Sequence, residues 1–123
     1  MNGTSGPELL EAVRRFLREE VVPELDGFRA YNTRIAANAV GIAARELEQG
    51  WRIAELDGQI AAELALDPSA GPVATQVAVG LRDGTLNADA RLLDYLRRRT
   101  LCAIAIDNPR YSGLAQARAL WGE

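Results

Sequence analysis

Two clusters of polar residues in this 123-residue chain have types and spacings that could do chemistry. The first is Tyr31, Arg34 and Asn38, spaced three and four residues apart. On a helix that spacing puts a phenol, a guanidinium and an amide on one side. Ile35 and Ile42 share that side, so the polar groups are expected to be partly buried. Two readings fit: a ligand pocket between helices, or a hydrogen-bonded network joining two helices, since a buried polar group must be paired.

The second cluster is Asp107, Asn108, Arg110 and Tyr111, around Pro109. Asp107 continues a line through Leu93, Leu96, Thr100 and Ile104, which predicts an inward carboxylate. Such a group needs a cation or several donors, and Arg34 and Arg110 are the candidates. Asn108 precedes a proline and is disfavoured in a helix, so a helix ends there. Asp107 could serve as a general base and Arg110 as an anion site. Alternatively the cluster is a clamp tying this helix end to the helix of Arg34.

Most other chemistries are excluded by composition. Histidine is absent, which removes Ser-His-Asp and Cys-His catalysis and His-ligated metal. All 14 basic residues are arginine, so no lysine Schiff base can form, whereas Arg forks can grip carboxylate or phosphate at two points. The acidic residues lack the Glu-x-x-His spacing of di-iron bundles, and no metal or other cofactor is expected. Neither a GxGxxG nor a P-loop sequence occurs. Arg97, Arg98 and Arg99 point about 100° apart on a helix, which predicts a solvated face rather than a phosphate site. Cys102 is the single cysteine, in an apolar run, and reads as a buried structural thiol in a reducing compartment. A net charge of −3 with dispersed arginines argues against nucleic-acid binding. Neither a leader nor a membrane-spanning segment is expected, and the expected location is the cytoplasm.

The elements that would hold these residues are helices. Apolar residues recur every three or four positions, and no long run alternates. Ser5 and Glu8 form a capping box for a first helix, with Pro7 in its first turn and a stripe of Leu9, Leu10, Val13, Phe16, Leu17 and Val21. Pro23 and Gly27 end or kink it. A second helix is expected over 28–49, stopped by Gly50, with Tyr31, Ile35, Asn38 and Ile42 inward and alanines allowing close approach. A third covers 51–66. A loop at 67–72 leads to a short helix over 73–82. Asn87 is expected to cap a longer helix that ends at Pro109, and 114–121 is a candidate for a last short one. The fold class is therefore all-α: one domain over 1–123, an antiparallel up-and-down bundle of four main helices with one or two short ones.

The two polar clusters also carry a family likeness. The run Arg34–Ala39, followed by Arg45-Glu46-Leu47-Glu48, together with Ala105–Tyr111, resembles an uncharacterised family of small bacterial helical proteins with an IDNPRY-like C-terminal motif. The segments 8–13 and 17–23 resemble that family's first helix. The resemblance implies genes beside aminoglycoside-phosphotransferase-like kinases and acyl-CoA dehydrogenases, hence an accessory role in acyl-CoA or small-acid catabolism.

Two functions are expected on these grounds. The first is a non-catalytic accessory or interaction protein, binding the kinase-like or dehydrogenase neighbour or self-associating, for instance as a dimer. Phe28, Trp51 and Trp121 would anchor such an interface. The second is an anionic-metabolite binder or enzyme using Tyr31, Arg34, Asn38, Asp107 and Arg110.

Overall fold

The computed structural model describes residues 4–121, and all of its regular structure is helical. Five α-helices follow in order: α1 (Gly6–Phe16), α2 (Gly27–Leu64), α3 (Val73–Asp83), α4 (Ala90–Asp107) and α5 (Leu114–Trp121). No strand occurs among the described residues. No helix among them is long and apolar enough to cross a membrane.

The two helices expected on either side of Gly50 are a single one. α2 runs for 38 residues straight through Gly50 and Gly58. A mid-helix glycine costs only about 1 kcal/mol relative to alanine, and no proline or left-handed residue accompanies Gly50 to turn the chain. The stop comes at Ala65, whose φ of 54° is left-handed, with the Leu66 N–H donating to the Ala61 carbonyl at 2.9 Å.

The chain forms two compact units, with α2 contributing to both. The first contains the chain up to Gly50, joined by Ile106–Asn108. Ser5 caps α1 as its sequence predicts: the Ser5 Oγ accepts from the Glu8 N–H at 3.3 Å and donates to the Glu8 carboxylate at 3.2 Å. α1 passes into a π-helical turn, Leu17–Val21, and then a 3-10 turn, Val22–Glu24. Pro23 lacks the N–H that a continuing α-helix would need, so the widened turn is where the helix gives way.

α1 lies antiparallel to α2 in this unit. Gly6 sits beside Leu47, Arg14 beside Gly41, and Arg18 reaches Asn38. The buried face of α2 is small: Ala30, Ala37 and Ala44, seven residues apart, with Gly41 between the last two. A side chain at Gly41 would meet the Arg14 Cδ at 3.1 Å and the Arg45 guanidinium at 3.2 Å. The expected inward stripe of Tyr31, Ile35 and Asn38 lies instead roughly 130° round the helix, in solvent. Small residues take the packed face because they let a neighbouring backbone come close; Tyr31 and Ile35 are left outside, and Ile42, the last member of the expected stripe, is half-buried.

The second unit comprises Trp51–Ala105 and the chain from Pro109 onward. Its core joins Ile60 of α2, Val77 of α3, and Leu92 and Tyr95 of α4, flanked by Leu56, Leu64, Val73, Leu86 and Leu96 among others. The loop before α3 is held by side chains. Asp67 accepts from the Ser69 N–H and hydroxyl at 2.9 and 2.7 Å, and Gln76 donates to the Asp67 and Gly71 carbonyls at 2.8 and 2.9 Å. Beyond α3, Gly84 takes a φ of 82° and the chain folds back so that the Leu86 N–H donates to the Gly80 carbonyl at 3.0 Å. The Leu86 side chain occupies the space a Gly80 side chain would need, only 2.6 Å away. The cap of α4 is Asp89 rather than the expected Asn87, accepting from the Leu92 N–H at 2.9 Å.

Candidate functional site

On α2, Tyr31, Arg34 and Asn38 are all exposed. Asn38 has a partner, but it comes from the segment after α1: the Arg18 guanidinium donates to the Asn38 Oδ1 at 2.6 Å. Tyr31 and Arg34 make no side-chain hydrogen bond or ion pair among the described residues. In place of a buried polar network, α2 carries an open stripe of Phe28, Tyr31 and Ile35, exposed to 76%, 58% and 48%. Arg34 stands beside it.

At the end of α4, Asp107 is exposed and unpaired among the described residues; the expected inward carboxylate is not found. The cause is a rotation of one residue. The sequence offers Leu92 and Leu93 side by side, and a line drawn through Leu93 carries Asp107 inward. The packed line instead runs through Leu92, Tyr95, Arg99 and Ile106, about 100° away, and leaves Leu93 40% exposed. Asn108, Arg110 and Tyr111 are exposed too. Tyr111 has a local role, since its ring lies against Gly113, where a Cβ would come within 2.6 Å.

A clamp does hold the end of α4, through a different arginine. Arg45 of α2 donates its Nε–H to the Ile106 carbonyl at 2.6 Å, in a half-buried setting. The last carbonyls of a helix have no partner within it and carry its negative dipole end, so a guanidinium is well suited there. Gly41, one turn earlier, leaves the room that Arg45 occupies. Helical spacing from Ala37 and Gly41 points at Arg45, but only once the small-residue face is known to be the packed one.

The second unit holds a polar network that sequence reasoning missed. Asp57 accepts from the Tyr95 hydroxyl at 2.7 Å and from the Arg99 Nε–H at 2.9 Å, with a longer bond from Arg99 Nη2 at 3.5 Å. Burial, reinforced by the neighbouring Asp57 carboxylate, pushes the Tyr95 hydroxyl well above its ordinary 10, so it stays protonated. The hydrogen bond to Asp57 holds the Arg99 guanidinium above its ordinary value. Of the three consecutive arginines, Arg97 and Arg98 are solvated as expected, while Arg99 is inward.

Beside this network lies an open groove of about 210 Å³, between the second half of α2 and α4. Its charges are Glu63, Arg91, Asp94 and Arg98. Arg91 faces Glu63 at 3.6 Å and Arg98 pairs with Asp94 at 2.9 Å, so the groove carries both signs in balance. Among the described residues, no charged residue is buried and no group of acidic or thiol side chains could hold a metal ion. Cys102 is half-buried rather than fully enclosed. Trp51 and Trp121 are exposed to 59% and 39%, each beside an arginine, Arg52 at 5.5 Å and Arg97 at 6.0 Å from the ring centre.

The model of a family described as a domain of unknown function (DUF6285) matches residues 23–111. No curated protein and no solved structure matches the chain.

Proposed function

The chain belongs to the DUF6285 family, a domain of unknown function, and we propose that it is a non-catalytic accessory protein that docks a larger protein through the open stripe of α2. The observation that carries this is the exposure of Phe28, Tyr31 and Ile35 at helical spacing, with Arg34 alongside and unpaired among the described residues. Aromatic side chains and arginine are the types enriched in the energetic centres of protein interfaces, and a helix offering anchors at i, i+3 and i+7 suits a hydrophobic groove. The sequence resemblance implies the partner: a phosphotransferase-like kinase or an acyl-CoA dehydrogenase of small-acid catabolism, acting with this chain in the cytoplasm.

An anionic-metabolite pocket has less support. The groove beside Tyr95 has its arginines neutralised by Glu63 and Asp94, and the polar residues Tyr31, Arg34, Asp107 and Arg110 are each solvated. Calorimetric titration against the kinase-like and the dehydrogenase-like proteins tests the docking proposal. A complex is expected with one of them, weakened roughly 30-fold or more by Tyr31→Glu with Ile35→Glu, since an interface hot spot contributes about 2 kcal/mol or more. Absence of any complex at micromolar concentrations of either protein would refute the proposal.

A further inference from the structure

We infer that the stripe of α2 takes a protein surface whose apolar area is bordered on one side by Asp or Glu, and that Arg18 and Arg34 receive those carboxylates; this rests on the docking function proposed above and names the chemistry of the partner.

Round the axis of α2, Phe28, Ile35, Tyr31, Asn38 and Arg34 follow one another within an arc of about 120°. Phe28 and Ile35 stand on one side of Tyr31. Asn38 and Arg34 stand on the other, about 20° and 60° away. The arc is therefore apolar along one edge and polar along the other, with Tyr31 between. All five residues are exposed.

A second arginine reaches the polar edge from outside α2. Arg18 lies in the π-helical turn Leu17–Val21, and its Nη2 donates to the Asn38 Oδ1 at 2.6 Å. Asn38 is one helical turn from Arg34, so the two guanidiniums flank the same stretch of this edge. Single π-helical turns are rare and recur at functional sites. Here the widened turn carries the residue that comes to the edge.

The charge of the edge is uncompensated within the chain. Over 27–45, α2 carries Arg29, Arg34 and Arg45 and no acid, although the net charge of the whole chain is −3. Arg45 is engaged by the Ile106 carbonyl, and Arg29 lies about 160° from Tyr31, outside the arc. Neither Arg18 nor Arg34 makes an ion pair among the described residues. Glu19 follows Arg18 directly, but its charge acts on Arg14. Two guanidiniums beside an apolar edge match carboxylates beside an apolar surface and repel a basic one. A nucleic-acid backbone or an anionic membrane calls for a concentrated basic face, and two arginines do not make one.

Three synthetic helical peptides test this, sharing one leucine stripe flanked along one side by Glu, by Gln or by Lys. Amide chemical shifts of the whole labelled chain are followed up to about 1 mM peptide, in about 50 and 300 mM salt. The Glu peptide is expected to shift the amides of 28–38 and to bind about tenfold more tightly than the Gln peptide at low salt, the gap closing at high salt. The Lys peptide is expected to bind most weakly. Arg18→Glu with Arg34→Glu is expected to invert the order, and Arg18→Gln with Arg34→Gln to erase it. Both positions are exposed, and circular dichroism reads whether the helices persist. Equal binding of the three peptides at 28–38 would overturn this inference and leave the docking function standing. An order that survives the double Gln change would overturn it too, as would tighter binding of mixed-sequence RNA or anionic vesicles at the same residues. Silence of all three peptides would also overturn it, and the docking function would then rest on the partner titration alone.

Discussion

Tyr95 and Asp57 show how much one side chain's position decides. Tyr95 is almost fully buried, 4% exposed, and its hydroxyl ends on a carboxylate that Arg99 also grips. Removing the hydroxyl by Tyr95→Phe leaves Asp57 still bonded to Arg99. The expected cost is about 1 kcal/mol, or a Tm lower by roughly 4 °C. Asp57→Ala leaves both the Tyr95 hydroxyl and the Arg99 guanidinium without their acceptor, and is expected to cost about 1–3 kcal/mol. Urea denaturation of the two variants measures the order. A Tyr95→Phe variant less stable than Asp57→Ala would contradict this hydrogen-bond network. In the sequence, Tyr95 and Arg99 stand four residues apart on α4, which marks them as neighbours. Nothing in the sequence says that Asp57, 38 residues earlier, meets them.

At the scale of elements, the ends of helices are easier to read than their faces. The Ser5–Glu8 cap, the loop over 67–72 and α5 over Leu114–Trp121 all fall where local chemistry places them. The packed faces of α2 and α4 each lie a rotation away from the stripe their sequences suggest. Adjacent apolar residues such as Leu92 and Leu93 define a stripe only to within about 100°. The end of α2 provides a direct test of local conformation. Ala65 sits in the left-handed region, where a Cβ is disfavoured and glycine is not. Ala65→Gly is therefore expected to raise stability by about 0.5–1 kcal/mol, read as a higher urea midpoint with an unchanged slope. A drop in the midpoint would mean that Ala65 does not hold this conformation in solution.

For the whole molecule, pH integrates the local contacts. The carboxyls of Glu11, Asp67 and Asp83 are all held below their ordinary values, 4.5 for Glu11 and 3.8 for the aspartates. The causes are the Arg14 hydrogen bond for Glu11, the Ser69 hydroxyl and N–H for Asp67, and the Thr85 N–H and hydroxyl for Asp83. A lowered carboxyl stabilises the fold above its unfolded-state value, and that contribution disappears as pH falls through the folded-state value. Tyr95 has the opposite sign of shift: its contribution is complete below its ordinary 10 and fades as pH rises beyond it. Thermal melts are expected to show a plateau from about pH 5 to 9, a decline below about pH 4 and another above about pH 10. Stability that increases on acidification below about pH 4 would show that these three carboxyls are not held as described.

The all-helical class, the Ser5 cap of α1, the loop over 67–72 and the lack of histidine are settled by local composition and spacing, because each depends on neighbours within a few residues. Which face of a helix is packed, whether Gly50 interrupts α2, and which arginine holds the end of α4 depend on partners far along the chain. Arg45 lies 61 residues from Ile106, and an exposed Tyr31 differs from a buried one only in what another helix covers. Packing that favours small residues on one side, and leaves large ones open on the other, is decided when backbones approach each other, and a single chain's periodicity carries no record of that choice.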